Sequence, residues 1–423
     1  MNNGLTKVSE IIEEISMGPF GSDIKVDNFV ESGVPVLNGA NLPKFKLLEL
    51  EFRYVTQDKA KTFRKAIAKR GDIVITHRGT LGQISYIPDN SKFEEYVISQ
   101  SQFRVALNRK LVDPAFFVYY FHTGEGQKRL LANKCHVGVP ALAQATTNFR
   151  LIEIPLPSLP IQQKIASVLI ALDSKIEHNN RINAELESMA KTLYDYWFVQ
   201  FDFPDKNGKP YKTSGGKMVW NEELKREIPE GWEVDKISKK VTIGSGFPFD
   251  SEDYNKVGTY KVITIKNVQD GFLDTTSVDY VSLLPKKISE FCILKEGDIL
   301  MSLTGNVGRM CFVDQNNLLL NQRVGKLIGD KDFVVYSYFF FKRPENQHRL
   351  SKIANGSSQA NLSPIEAVKD NFAIPSKKTM DQFSEFVHPM IDQILSKNRE
   401  NQKLTELRDW LLPMLMNGQV KVN

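Results

Sequence analysis

The chain has 423 residues, 41% of them apolar, and 55 Lys and Arg against 50 Asp and Glu give a net charge of +5. At about 100–200 residues per domain the length allows two to four domains, and the composition excludes a disordered, collagen-like or low-complexity chain. The mild basic excess suits a polyanionic partner without requiring one, and three cysteines (Cys135, Cys292, Cys311) with no C-x-x-C argue against a disulfide framework and for a reducing cytoplasm.

Met1 to Lys7 leads into an acidic helical pattern with no apolar core of signal-peptide type. Val34 to Leu37 and Gly71 to Thr76 are β-branched runs bounded by Gly, Asn and Asp, which predict strands. Ile84 to Ile87 follows a turn carrying Gly79 and Gly82, and Pro114 to Thr123 predicts a short helix rich in Phe and Tyr. From 160 to 198 a long helix is expected. Its apolar residues fall at 161, 165, 168 and 172, then at 182, 186, 189, 193 and 196, with Lys175 and Asn179 filling the two open positions of a five-heptad seam. Phe201 to Glu230 is linker chemistry, with Trp220 and Trp232 suggesting that it docks on a domain.

The chain then repeats itself. Lys69-Arg70-Gly71-Asp72-Ile73-Val74 stands above Lys295-Glu296-Gly297-Asp298-Ile299-Leu300 at an offset of 226, and positions 36–82 hold 13 identities in 47 at that offset. Chance would give about three at ordinary composition. Gln127 to Leu130 matches Gln347 to Leu350, and Ile154-Pro155 matches Ile374-Pro375. Ile299 to Ser302 and Met310 to Val313 are the second set of strands. The last helix opens on a capping-box pattern, Thr379 with Gln382. Its seam runs Phe383, Val387, Met390, Ile394, Lys397, Asn401, Leu404, after which Leu407, Leu411 and Leu415 are expected to take over from Arg408. Pro413 should kink or loosen the final turns, and Gly418 is a natural stop. Each seam thus carries a polar pair, Lys175/Asn179 and Lys397/Asn401, which would fix register. The simplest partner for one seam is the other; the alternative is that each helix packs on its own domain.

The chemistry of most enzyme classes is missing. The sequence has no P-loop, no Rossmann fingerprint around Gly244-Ser245-Gly246, no H-E-x-x-H and no G-x-S-x-G. The six histidines are scattered, so no helical His–His metal site is expected. Asp72 and Asp298 sit where an acid caps a turn. No Asn-Pro-Pro-aromatic or Asp-Pro-Pro-aromatic tetrapeptide of amino-methyltransferases occurs. The most apolar run, Phe333 to Phe341, is far short of the roughly 18–20 residues of a membrane helix. A binding or scaffolding protein is expected, with no catalytic residue and no metal.

Several strings resemble the specificity subunit of type I restriction-modification systems. They are Phe201-Asp202-Phe203-Pro204 after the first long helix, Gly208-Lys209-Pro210-Tyr211-Lys212 with Gly215-Gly216, Ile228-Pro229-Glu230-Gly231-Trp232, and Leu404 to Pro413 before Asn417-Gly418. The resemblance spans the chain. It implies an α+β protein of two tandem α/β target recognition domains (1–158 and 231–376), separated by two long helices (159–200 and 377–418) paired as an antiparallel coiled coil, in an internal pseudo-twofold repeat. A linker (201–230) and a short tail (419–423) complete it. It also implies that each domain reads half of a bipartite, asymmetric duplex DNA site, while the helices set the spacing and dock two methyltransferase subunits. Those partners carry S-adenosylmethionine, this chain has no cofactor of its own, and motor-nuclease restriction subunits join the complex. Two domains on one DNA face should sit about 34 Å apart.

Candidate DNA-contacting residues lie in two loops per repeat. Thr76, His77, Arg78 and Thr80 flank the first Gly turn, with Thr304, Asn306 and Arg309 at its copy. Lys134, His136 and Gln144 precede the first Ile-Pro, with Ser357, Ser358 and Gln359 before the second. Arg can read guanine, and Asn or Gln adenine; turn stabilisation is the competing role for each. Tyr194, Tyr196, Trp197 and Phe198 either face a methyltransferase or pack on a domain. The rival reading of the whole chain is a non-catalytic coiled-coil scaffold bearing two protein-binding modules.

Overall fold

The computed structural model describes residues 5–20, 23–135, 138–356 and 359–422. Two compact units divide the chain: one comprises residues up to Ile176 together with Lys403 onward, the other Glu177–Gln402. Both long helices therefore contribute a part to each unit.

In the first unit, β1 (Ile12–Met17), β2 (Val34–Val36), β3 (Arg53–Val55), β4 (Ile67–Lys69), β5 (Ile73–Thr76), β6 (Ile84–Tyr86), β7 (Glu95–Val97) and β8 (Gln102–Leu107) form two sheets. One has the order β1-β8-β5-β6, all antiparallel. The other runs Phe29–Val30, β3, β2, β7, β4, with β2 and β7 parallel. Helices α1 (Pro114–Phe121) and α2 (Gly124–Leu130) follow, then the long α3 (Leu159–Tyr194). The N-terminal segment is strand where a helical pattern is expected, because β8 offers it a full antiparallel ladder that local periodicity does not register.

The second unit repeats the plan with β9 (Val241–Ser245), β10 (Tyr260–Ile263), β11 (Asp279–Val281), β12 (Ile293–Leu294), β13 (Ile299–Ser302), β14 (Met310–Phe312), β15 (Leu318–Leu320) and β16 (Val324–Gly329). Its sheets, β9-β16-β13-β14 and β11-β10-β15-β12, keep the same orders without a counterpart of the edge strand Phe29–Val30, and β10 pairs β15 in parallel. Helices α4 (Lys331–Lys342), α5 (Pro344–Ile353) and the long α6 (Lys377–Met416) complete it. The duplication extends to single bonds. Asp72 accepts from the Lys69 amide at 2.9 Å and pairs with Arg104 at 3.1 Å; Asp298 accepts from the Lys295 amide and pairs with Lys326, both at 2.7 Å. These acids cap turns, as their position predicts. Burial pushes the Asp72 carboxyl up, against its hydrogen bond from Lys69 and its pairing with Arg104.

The long helices pair antiparallel within each unit. In the first, Asp173 meets Arg408, and Ile165, Ala166 and Leu169 share a core with Leu412, Leu415 and Met416. In the second, Asn179 meets Asn401, Asn183 meets Asn398, and Tyr194 packs on Phe383. The expected period holds in α3, but the phase moves one residue along. Gln162, Ala166, Leu169, Asp173, Ala190 and Tyr194 are buried, as is Trp197 in the turn that follows, whereas Ile161, Met189 and Tyr196 are exposed; Ile165 and Asn179 are buried at their expected positions. Polar residues cause the shift. Gln162 donates to the Leu111 and Pro157 carbonyls and accepts from the Asp113 amide, and Asp173 accepts from the Tyr119 hydroxyl at 2.6 Å. A seam traced through apolar letters alone cannot include them.

In α6, Phe383, Val387 and Ile394 are buried as expected. Past Leu404 the predicted hand-over to Leu407 does not occur. Leu407 is exposed, and Arg408 keeps the seam position because the buried Asp173 carboxylate receives it. Ser376, not Thr379, caps α6: its hydroxyl accepts from the Thr379 amide. The helix continues through Pro413 to Met416, and Gly418 ends it with a φ of +75°. The segment 201–230 is folded onto the second unit. Phe203 stacks between Tyr211 and Trp232, and Asp202 accepts from the Thr213 amide and hydroxyl. Trp232 is buried there, while Trp220 lies exposed on a hairpin, Met218–Asn221 with Arg226–Pro229.

Candidate nucleic-acid interface

In both units the two candidate loops converge. The Gly turn joins β5 to β6, and the second loop, about 60 residues later, lies alongside it. The Gly79 amide donates to the Pro140 carbonyl at 2.9 Å, the Leu142 amide to the His77 carbonyl at 2.8 Å, and Arg78 bridges Ala141. In the second unit the Gly305 amide donates to the Ala360 carbonyl at 2.9 Å and the Leu362 amide to the Leu303 carbonyl at 2.7 Å. A third segment, the turn before the β8 or β16 strand, lies on the other side. The His77 amide donates to the Ser101 carbonyl, and the Leu303 amide to the Arg323 carbonyl.

A glutamine holds each Gly turn. Gln127 donates to the Gly82 carbonyl at 2.9 Å and the Phe121 carbonyl at 2.7 Å; Gln347 donates to the Gly308 carbonyl at 3.0 Å and the Phe341 carbonyl at 2.8 Å. Gly82 and Gly308 have φ near +87° and +82°, and a Cβ there would lie 2.5 Å and 2.9 Å from the glutamine Oε1. Positive φ and the close amide together demand glycine.

The predicted residues divide on this frame. Arg78, Thr80, Lys134, Gln144, Asn306 and Gln359 are exposed along the loops. Thr76 and Thr304 are buried, and their hydroxyls bond Gln83 and Asn361 at 3.1 Å, so they brace the turn from inside. His77 is half-buried with Nε2 3.1 Å from the Gln100 carbonyl, and burial pushes its pKa down, leaving a neutral ring near pH 7. Arg309 is held by Gln269 at 2.9 Å. Gln144 opens a short helix in the left-handed region at φ +43°. His136, Ser357 and Ser358 lie outside the described residues.

Beside the first Gly turn is an open groove of about 760 Å³, lined by Glu14, Phe20, Lys65, His77, Arg78 and Gln100 among others. Gln100 and its counterpart Gln322 are both exposed, and Arg323 is exposed beside the latter. Sequence reasoning missed these residues, although the offset of 222 that joins Asn179 to Asn401 also aligns Gln100 with Gln322.

The register residues fare unevenly. Asn179 is fully buried, and its Nδ2 donates to Asn401 Oδ1 at 2.9 Å and Glu400 Oε2 at 3.1 Å. Lys397 is half-buried and pairs with Glu400 at 3.0 Å. Lys175 is exposed, and the buried part of the polar layer is built from Asn179 with Asn401 and Glu400, the last also pairing with Lys397. Tyr194, Trp197 and Phe198 are core residues of the second unit, and only Tyr196 of that aromatic cluster reaches the surface. Among the described residues no group of His, Cys, Asp and Glu could hold a metal, and no helix is long and apolar enough to cross a membrane.

The family model for the type I restriction modification DNA specificity domain matches the chain twice, over residues 24–188 and 229–406. The chain belongs to the specificity-subunit family of type I restriction-modification systems. It is similar to the type I restriction enzyme MjaIX specificity subunit of Methanocaldococcus jannaschii, with 25% identity covering 94% of this chain and 89% of that one. The HindI specificity subunit of Haemophilus influenzae is 24% identical over 96% of this chain and 99% of its own. Among solved structures, the S subunit from M. genitalium aligns over 98% of this chain and 96% of that one, with a TM-score of 0.56 at 14% identity, a likeness of fold. Specificity subunits are as a class non-catalytic, and the two family matches coincide with the two α/β-plus-helix repeats.

Proposed function

We propose that this specificity subunit reads a bipartite, asymmetric duplex DNA site, one half per unit, through the converging loops. The paired helices set the spacing between half-sites and dock two methyltransferase subunits. Those subunits bind S-adenosylmethionine and methylate adenine, and motor-nuclease restriction subunits complete the assembly. The observation that carries the reading is a shared frame with unshared side chains. Both units have the same strand order, the same glutamine-clamped Gly turn and the same loop convergence. Yet Arg78 stands where the other unit has Thr304, and Ser101 where it has Arg323. A common scaffold that exposes arginine from different segments is what two different half-sites require, since phosphate contacts position a reader and base-edge contacts specify the sequence.

The test is coexpression with the cognate methyltransferase, followed by sequencing that detects modified bases. One split motif whose methylation depends on this chain is expected. Methylation without a chain-dependent motif, or none at all in an assembled complex, would overturn the reading.

A further inference from the structure

The two units place an arginine at one location of the fold from opposite sides of the same pair of segments. In the first, the Gly-turn segment carries Arg78 and the neighbouring turn carries Ser101, joined by the His77 amide to the Ser101 carbonyl at 2.9 Å. In the second, the same backbone bond runs from the Leu303 amide to the Arg323 carbonyl at 3.0 Å, and the arginine has changed sides: Thr304 is on the Gly-turn segment and Arg323 on its neighbour. Both arginines are exposed. Neither guanidinium makes a hydrogen bond or ion pair among the described residues, unlike Arg104, Arg109, Arg129 and Arg309, which are bound within their units.

The setting is alike in both units. Beside each arginine lies an exposed glutamine of the β8 or β16 entry turn, Gln100 or Gln322. The Arg78 backbone is held by the His77–Ser101 and Gly79–Pro140 bonds on its flanks and by the Gln127 clamp on its turn, and the Arg323 backbone by the Leu303 amide on its own carbonyl and by the Gln322 amide on the Phe247 carbonyl. Arg78 borders the groove of about 760 Å³. Thr304 cannot replace it, because its hydroxyl is turned inward to Asn361. An unpaired planar fork on a rigid mount next to an amide fits a base-pair edge in the major groove, where arginine bonds O6 and N7 of guanine together.

Resting on the DNA-reading function proposed above, we infer that Arg78 and Arg323 are specificity-determining residues, each reading a guanine in a different half-site. The chemistry does not depend on which side of the segment pair supplies the fork, so the two half-sites differ in the position of that guanine relative to the shared frame.

The test uses the full chain assembled with its methyltransferase subunits. Arg78→Gln and Arg323→Gln are compared with wild type by methylation-motif sequencing and by competition binding to duplexes bearing each base at each specified position. Arg78→Gln is expected to relax discrimination at one guanine of one half-site by about ten- to hundredfold, and Arg323→Gln at one guanine of the other half-site, with the remaining positions unchanged. A wild-type motif that lacks a guanine in either half-site would overturn the assignment for that unit. Equal weakening on every sequence, with the salt slope reduced by about one, would overturn it in favour of a phosphate contact. Unchanged binding would also overturn it. Because wild type is measured alongside, absence of any motif refutes the DNA-reading function itself, whereas a motif that ignores both substitutions refutes only the inference.

Discussion

Arg408→Met tests the polar joint between the long helices. Asp173 is 5% exposed and is held by two donors, the Tyr119 hydroxyl at 2.6 Å and Arg408 Nη1 at 2.7 Å. Burial and the adjoining carboxylate push the Tyr119 phenol far above its usual range, so it stays a proton donor. Removing Arg408 strands a buried carboxylate on one neutral partner. Breaking a buried pair costs about 3–5 kcal/mol, and the 27% exposure of the Arg408 side chain lowers the expectation to about 2–3 kcal/mol. For a unit of this size that is a fall of roughly 5–10 °C in its unfolding midpoint. Asp173→Asn combined with Arg408→Met leaves Tyr119 an acceptor and no stranded charge, and should recover most of the loss. Thermal unfolding, with hydrogen exchange across 159–176 to localise the effect, measures both. A single-variant cost below about 0.5 kcal/mol, or a double variant as costly as the sum of its parts, would refute the view that the helices are tied here by charge.

Two further outcomes are expected. His122 is half-buried with Nε2 2.9 Å from the Ile84 carbonyl; desolvation holds its pKa below the ordinary 6.5, so the folded state prefers the neutral ring. Its contribution to stability is then present above pH 6.5 and lost as pH falls through the folded value, because the unfolded chain takes up the proton first. Urea unfolding from pH 7.5 to 5 should show a shallower acid slope for His122→Gln than for wild type, and identical slopes would contradict this. Replacing both Asn179 and Asn401 by Leu removes a buried polar contact in which Asn179 Oδ1 has no partner, and should raise the unfolding midpoint by a few degrees while broadening the helix register. Cross-linking between engineered cysteines on the two helices would report the register, and a destabilised, still uniquely paired variant would count against the layer as a specificity device.

The duplication was legible because it lies in short, gapless strings. Lys69 to Val74 and Lys295 to Leu300 align by eye, and the strands that follow, Ile73–Thr76 and Ile299–Ser302, declare themselves by β-branched or apolar runs after a Gly-Asp turn. The helix period was equally open. Its phase was not, because Gln162, Asp173 and Glu187 join packed faces by finding partners in the segment before α1, on α1 and on α4, and those partners are distant in sequence. The strand Ile12–Met17 was hidden for a similar reason: its ladder is supplied by Gln102–Leu107. At the candidate site, glycine and polar letters marked the right loops. They could not show that Thr76 and Thr304 turn inward while Arg323, on an unmarked turn, points out.

The polar contacts along the helices have a mechanical consequence. Asp173 with Arg408, and Asn179 with Asn401, occupy single places in their packed faces. Sliding one helix by a turn, about 5.4 Å, would bring apolar side chains against the buried carboxylate and leave the guanidinium facing carbon. Each displaced charge resists by several kcal/mol, whereas an all-leucine seam would offer nearly equivalent stops every heptad. The joint therefore behaves as a detent, with one engaged position and no soft travel on either side. Its length can be altered by adding or deleting turns in the chain, and hardly at all by stretching.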